Sequence, residues 1–123
     1  MPPPTVLVVE DDPVILRLLE VNFELEGFDV LLAHDGAEGI DMARASTPDV
    51  IVSDIMMPKT SGLELVTTLK ADDATSAIPI ILLSAKAQTS DLKLGIDSGA
   101  DDYVTKPFEP LDLVERVNAL LAR

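Results

Sequence analysis

Val6-Leu7-Val8-Val9-Glu10-Asp11-Asp12-Pro13 passes from four apolar residues to three acids and a proline. The apolar run has the Val/Leu content of a strand covered on both faces. Asp12 followed by Pro13 has the form of a helix N-cap and first helical position. The stretch therefore reads as a strand that delivers acids to the start of a helix. Working outward, comparable apolar runs place strands over Thr5–Glu10, Asp29–Ala33, Val50–Asp54, Ile78–Ser84 and Asp102–Thr105. Amphipathic segments alternate with them. Val14, Leu18, Val21 and Leu25 space the apolar face of the first, and Leu113, Val117, Leu120 and Leu121 that of the last. Gly27 is expected to end the first helix, and Asp35-Gly36-Ala37-Glu38 to cap the second. Alternation of this kind gives a doubly wound parallel sheet, either a Rossmann half or the flavodoxin-like order 2-1-3-4-5.

At 123 residues and 47% hydrophobic content the chain is expected to form one domain over 1–123. It has no cysteine, which excludes disulfides, zinc-thiolate sites and thiol nucleophiles. No apolar run has the length of a membrane span, and Met1-Pro2-Pro3-Pro4 lacks the features of a signal peptide, so a cytoplasmic protein without a membrane partner is expected. Nine basic residues against 22 acidic ones give a net charge of −13. That field repels polyanions, and the expectation is no direct nucleic acid binding by this segment.

In an open parallel sheet every strand ends on the same edge. Glu10 and Asp11 follow the first strand, Asp54 ends the third, Ser84 the fourth, and Lys106 follows the fifth. Three acids, a hydroxyl and a lysine are thus expected to converge. Carboxylates about 4 Å apart repel by roughly 4 kcal/mol at an effective dielectric near 20, so protons or a cation must neutralise them. Three hard oxygen donors, too few to fill an octahedron, suit Mg²⁺, which keeps its waters.

The pieces stand in a specific order: Val8-Val9-Glu10-Asp11-Asp12, then Asp54-Ile55-Met56-Met57-Pro58 with Gly62, then Leu83-Ser84-Ala85, then Gly99-Ala100-Asp101-Asp102-Tyr103-Val104-Thr105-Lys106-Pro107-Phe108. From first strand to last helix the chain resembles the receiver domain of two-component response regulators. The resemblance implies a flavodoxin-like α/β fold of five strands and five helices, in the order 2-1-3-4-5. It implies that Asp54 accepts a phosphoryl group from a sensor histidine kinase or phosphotransfer protein, with self-phosphorylation and self-dephosphorylation as the only catalysis. Mg²⁺ would be held by Asp11 directly, by Glu10 through water, by Asp54, and by the main-chain carbonyl of Met56. Lys106 and Ser84 would contact the phosphoryl oxygens, Ser84 and Tyr103 would form the switch, and the Lys106-Pro107 bond would be cis. The response would be carried by the fourth helix, the last strand and the last helix to an output domain or partner protein.

The resemblance assigns Asp12 to capping and places Met56 and Lys86 beside the water that hydrolyses the phosphoaspartate. Met56 gives that water no hydrogen bond, and Lys86 either contacts the phosphoryl group or points to solvent. His34 reads as a loop residue. An electron-transfer flavodoxin would need an anion-binding loop where Glu10-Asp11-Asp12 stands, and an aspartyl phosphatase of the dehalogenase type a second Asp where Met56 stands. A receiver that binds partners without phosphorylation is the third alternative, which the complete acid, hydroxyl and lysine set disfavours. A monomer is expected, with at most a weak activation-dependent dimer. The ionic pairs of such a dimer would use Asp97, Asp101, Asp102, Asp112 and Arg116, with Leu92 where a basic residue is usual and Lys93 beside it. Arg123 closes either a stand-alone regulator or part of a longer one, and the stop directly after the last helix favours the second.

Overall fold

The computed structural model describes residues 2–57, 60–85 and 99–122 of the chain. Five parallel strands, β1 (Thr5–Val9), β2 (Asp29–Ala33), β3 (Val50–Asp54), β4 (Ile80–Ala85) and β5 (Asp102–Lys106), form one sheet in the order β2-β1-β3-β4-β5. The expected 2-1-3-4-5 order is therefore present. The described residues hold four helices rather than the expected five: α1 (Pro13–Leu25), α2 (Gly36–Ser46), α3 (Gly62–Lys70) and α4 (Pro110–Leu121). The helix expected between β4 and β5, with Lys86, Leu92, Lys93 and Asp97, lies outside the described residues, as does Pro58.

Each sheet face carries its own core. Val6, Val8, Val50, Val52, Ile81, Leu83 and Val104 pack with Leu16, Leu19 and Phe23 of α1 and Leu113, Val114 and Val117 of α4. On the other face Leu7, Val9, Ile51, Ile80 and Leu82 pack with Ala43 of α2 and Leu65, Val66 and Leu69 of α3. Burial on both faces explains the unbroken apolar runs, since alternate residues of one strand serve opposite cores.

Local signals set the element ends. Asp12 Oδ1 accepts from the Val14 amide at 2.9 Å and the Ile15 amide at 3.4 Å, with Pro13 in the first turn. The end of α1 is a full Schellman motif: Gly27, at φ +90, donates to Glu24, and Phe28 donates back to Phe23. The hydrophobic contact that accompanies this motif is an edge-on Phe23–Phe28 pair, 5.2 Å between centroids. Asp35 caps α2 through the Glu38 amide at 2.8 Å. β4 begins two residues later than expected. Pro79 has no amide hydrogen, so although its carbonyl accepts from Ile51, ladder pairing starts at Ile80.

The apolar face of α1 differs from the expected one. Leu16, Leu19 and Phe23 face the core, whereas Val14 and Leu25 are 75% and 78% exposed and Leu18 and Val21 lie partly open. At about 100° per residue the two stripes lie on nearly opposite sides of the helix. Periodicity detects both stripes and cannot rank them. No helix among the described residues is long and apolar enough to cross a membrane.

The two stripes give opposite mutational expectations. Phe23→Ala should cost about 3 to 5 kcal/mol in urea unfolding by opening a cavity. Val14→Ser should stay within about 0.5 kcal/mol of the parent, as surface changes do. Comparable losses in the two variants would show that α1 is rotated from the orientation described.

Candidate functional site

The strand order puts the ends of β1 and β3 side by side, and the helices after them depart to opposite faces of the sheet. This is the switch point at which open α/β sheets form their binding crevice. Glu10 and Asp11 follow β1 and Asp54 closes β3, and one carboxylate oxygen from each lies within 4.8 Å of the other two. Glu10 is 1% exposed and Asp54 is 6% exposed, while Asp11 opens to solvent. Asp12 stands outside this group and caps α1 instead.

Among the described residues one cation reaches the cluster. Lys106, at the end of β5, donates from Nζ to Asp54 Oδ2 at 3.1 Å and to Glu10 Oε2 at 3.2 Å. The second Glu10 oxygen, Oε1, accepts from the Asp12 amide at 3.2 Å. The Lys106-Pro107 bond is cis, as the sequence resemblance implied. Ser84 is fully buried near the end of β4 and pairs with Thr105 of β5, one position before Lys106. Tyr103 is half-buried and packs its ring against the core shared with α2 and α3. Met56 follows Asp54 by two residues and its side chain points outward, with 58% of the residue exposed. His34 is a surface residue whose Nδ1 lies 3.2 Å from Glu38 Oε1.

Gly62 holds the loop after β3 close to the site. A Cβ there would collide with the Asp54 carbonyl oxygen and stand 2.9 Å from Ile55 Cα. The Gly62 amide donates to the Ile55 carbonyl at 2.9 Å. Gly62 was legible in the sequence as part of the motif set, but its contact with the Asp54 backbone was not. Three further pairs were not foreseen. Arg116 binds Asp102 at 3.1 Å and Asp112 at 3.5 Å, and Lys70 binds Asp101 at 3.2 Å. Acids expected to act between two copies of the chain are thus paired within one.

Burial pushes the Glu10 carboxyl up to about 7; the Asp54 charge adds to the rise, while Lys106 and the Asp12 amide oppose it. Burial works to lower the Lys106 ammonium, but attraction to Asp54 and then to Glu10 outweighs it and leaves Lys106 raised. For Glu10 the folded chain keeps a proton that the unfolded chain gives up near 4.5. Stability should therefore fall as pH rises from about 4.5 to about 7, and this contribution should level off above that. Metal-free protein should melt lower at pH 8 than at pH 5.5, and Glu10→Gln should flatten part of that slope. Identical slopes in the two proteins would remove Glu10 as the origin.

The response regulator receiver domain family matches residues 6–118. The DNA-binding dual master transcriptional regulator RpaA of Synechocystis is 43% identical over 120 residues, covering 98% of this chain and 50% of that protein. The receiver domain of Francisella response regulator 1452 superposes with a TM-score of 0.90 at 40% identity, with 98% of each chain covered. A receiver domain from a Pseudomonas aeruginosa sensor histidine kinase, solved with a magnesium ion coordinated in its active-site cleft, gives a TM-score of 0.91 at 27% identity. The superposition covers 98% of this chain and 99% of that one. The chain spans about half the length of the curated relatives it matches.

These relatives correct the partner expectation drawn from charge. The acidic balance pointed to no direct nucleic acid binding by this segment, yet the regulators it matches are DNA-binding proteins. A net charge of −13 describes the field of these 123 residues. It carries no information about a surface borne by the other half of such a protein. The strand order, the acids gathered at the ends of β1 and β3 with Lys106 across them, and the match over residues 6–118 agree, and the chain belongs to the response regulator receiver domain family.

Proposed function

We propose that residues 1–123 form one phosphoacceptor domain, that Asp54 is the acceptor, and that the domain serves a DNA-binding two-component regulator. The observation that carries this reading is the placement of Asp54. Its carboxylate is buried at the switch point, grouped with Glu10 and Asp11, and spanned by the Lys106 ammonium at 3.1 Å. A buried aspartate needed only for structure would be satisfied by Lys106 alone and would gain nothing from two more acids beside it.

The donor set fits a hard divalent cation. All three grouped side chains offer carboxylate oxygen, with no nitrogen or sulfur donor among them, and they leave coordination positions for water and a phosphoryl oxygen. Asp11 would hold Mg²⁺ directly, Glu10 through water, Asp54 by one oxygen and Met56 by its carbonyl. When bound, the ion neutralises the carboxylates and the phosphoryl oxygens.

The residues themselves do the rest. An Asp54 carboxylate oxygen attacks phosphorus in line with the departing group, an imidazole nitrogen of a sensor kinase histidine or the oxygen of acetyl phosphate. The P–N or P–O bond breaks as the new O–P bond forms, leaving a phosphoaspartate. Lys106 moves its ammonium from the carboxylate toward a phosphoryl oxygen. The Ser84 hydroxyl donates to another, and Tyr103 changes its packing as Ser84 shifts. Such coupling requires the phosphoryl group to favour one arrangement of Ser84 and Tyr103 over the other. The association with DNA is supported by the relatives named as DNA-binding regulators, of which this chain matches one half.

Incubation with acetyl phosphate and Mg²⁺ should add one acid-stable, base-labile phosphoryl group per chain. Asp54→Asn should abolish it, and equal labelling of that variant would place the acceptor elsewhere. Mg²⁺ at about 100 times its dissociation constant should stabilise the fold by about 2.7 kcal/mol, seen as a raised melting temperature. Asp11→Ala should erase the increment. A melting curve indifferent to millimolar Mg²⁺ in the parent protein would argue against the ion.

A further inference from the structure

Lys106 acts two and three strands away from its own. It extends from β5, across the end of β4, to Asp54 on β3 and Glu10 after β1. Its reach depends on where β5 sits along β4. A slip of one residue would displace it by about 3.3 Å and turn it to the opposite face. Burial usually fixes register, but β5 is an edge strand with one fully buried residue, Val104, whereas all five residues of β3 are buried. Tyr103 and Val104 pack on opposite faces, so each core receives a single apolar side chain from β5.

The register is fixed instead at the far end of the strand. Asp101 takes both main-chain groups of Ile80, the first residue of β4. The Asp101 amide donates to the Ile80 carbonyl at 2.9 Å, and Asp101 Oδ2 accepts from the Ile80 amide at 2.9 Å. Lys70, from the end of α3, donates to the same Oδ2 at 3.2 Å. The ammonium is itself held by the carbonyls of Ile78 at 2.8 Å and Ser76 at 3.2 Å. Lys70 and Asp101 are 19% and 20% exposed, so the pair is sheltered. Gly99, at φ +108, lets the chain pass Lys70 closely, since a Cβ there would meet Lys70 Cγ at 3.3 Å. The Arg116–Asp102 pair also touches β5, but it comes from α4 and is more open, and it does not index β5 against β4.

We infer that Lys70 and Asp101 form a register lock that aims Lys106 at the phosphoacceptor, which makes them positioning residues for phosphoryl transfer. The inference rests on the reading of Asp54 as acceptor. Glu10 and Asp11 follow β1 and Asp54 closes β3, strands that the lock does not touch, so metal binding and phosphoryl transfer should respond differently to its loss.

The test uses the whole chain with acetyl phosphate and saturating Mg²⁺. Asp101→Ala should slow phosphoryl uptake at least about 10-fold, because misplacement by about 1 Å can cost a hundredfold. Its Mg²⁺ affinity should not fall, because the three carboxylates stay in place and an ammonium moved away from Glu10 and Asp54 opposes a cation less. In a Lys106→Ala background, Asp101→Ala should add no further loss; losses that multiply would show that the lock does not act through Lys106 and would overturn the inference. Lys70→Met should follow Asp101→Ala in direction, with Lys70→Arg restoring most of the rate, and this pair decides the matter where Asp101→Ala does not fold. Equal rates in parent, Lys70→Met and Asp101→Ala would overturn the lock alone. A parent chain that takes up no phosphoryl group overturns the acceptor reading. The lock is then judged by the amide resonances of Thr105 and Lys106, which should move in Lys70→Met and stay near the parent in Lys70→Arg. Unmoved resonances would overturn it.

Discussion

Repulsion among Glu10, Asp11 and Asp54 is the constraint around which this molecule is organised. Two of the three are buried, and the described structure brings one ammonium, that of Lys106, against Glu10 and Asp54. Each close carboxylate pair costs several kcal/mol at an effective dielectric near 20. That ammonium offsets only part of this, and burial first, then the Asp54 charge, raises the Glu10 carboxyl to about 7. The remainder is carried by the two apolar cores, whose central strands are almost wholly removed from water. The fold tolerates an unfavourable edge because its centre is strongly favourable. That edge is in turn receptive to any ligand that brings positive charge.

Much of this arrangement is legible in the sequence because it is local. Strand identity follows from runs such as Val50-Ile51-Val52, and helix starts follow from Asp12-Pro13 and Asp35. The end of α1 follows from Gly27. Strand order then brings the strand-end acids together with no further information. What escaped the sequence depends on choices made between elements. The two stripes of α1 have equal periodicity, and only the presence of a sheet on one side selects Leu16, Leu19 and Phe23. Lys70 and Asp101 are 31 residues apart, and no spacing rule joins them.

The charge reading failed for a different physical reason. Net charge is a sum in which acids and bases cancel wherever they stand, so it records neither which charges are paired nor where the unpaired ones lie. Asp72 holds Arg44, Asp101 holds Lys70, and Asp102 shares Arg116 with Asp112. The sum therefore describes the distant field of this segment and neither its contacts nor those of the longer proteins to which it is related.

The edge position of β5 links stability to the proposed function. A central strand such as β3 is fixed by packing on both faces and by neighbours on both sides, so it suits a nucleophile that must not wander. Among the described residues β5 pairs with β4 alone, and it buries little and ends in a lysine bonded to two strand-end acids. Motion there disrupts fewer apolar contacts than motion anywhere nearer the middle of the sheet. A strand so lightly held by its core must be indexed by polar contacts instead, and those contacts stand at its two ends: Asp101 on Ile80 at one, Lys106 on Glu10 and Asp54 at the other. Under the proposed chemistry only the second set changes partner when Asp54 gains a phosphoryl group. The first stays fixed, so the displacement is confined to the end of the strand that faces the site.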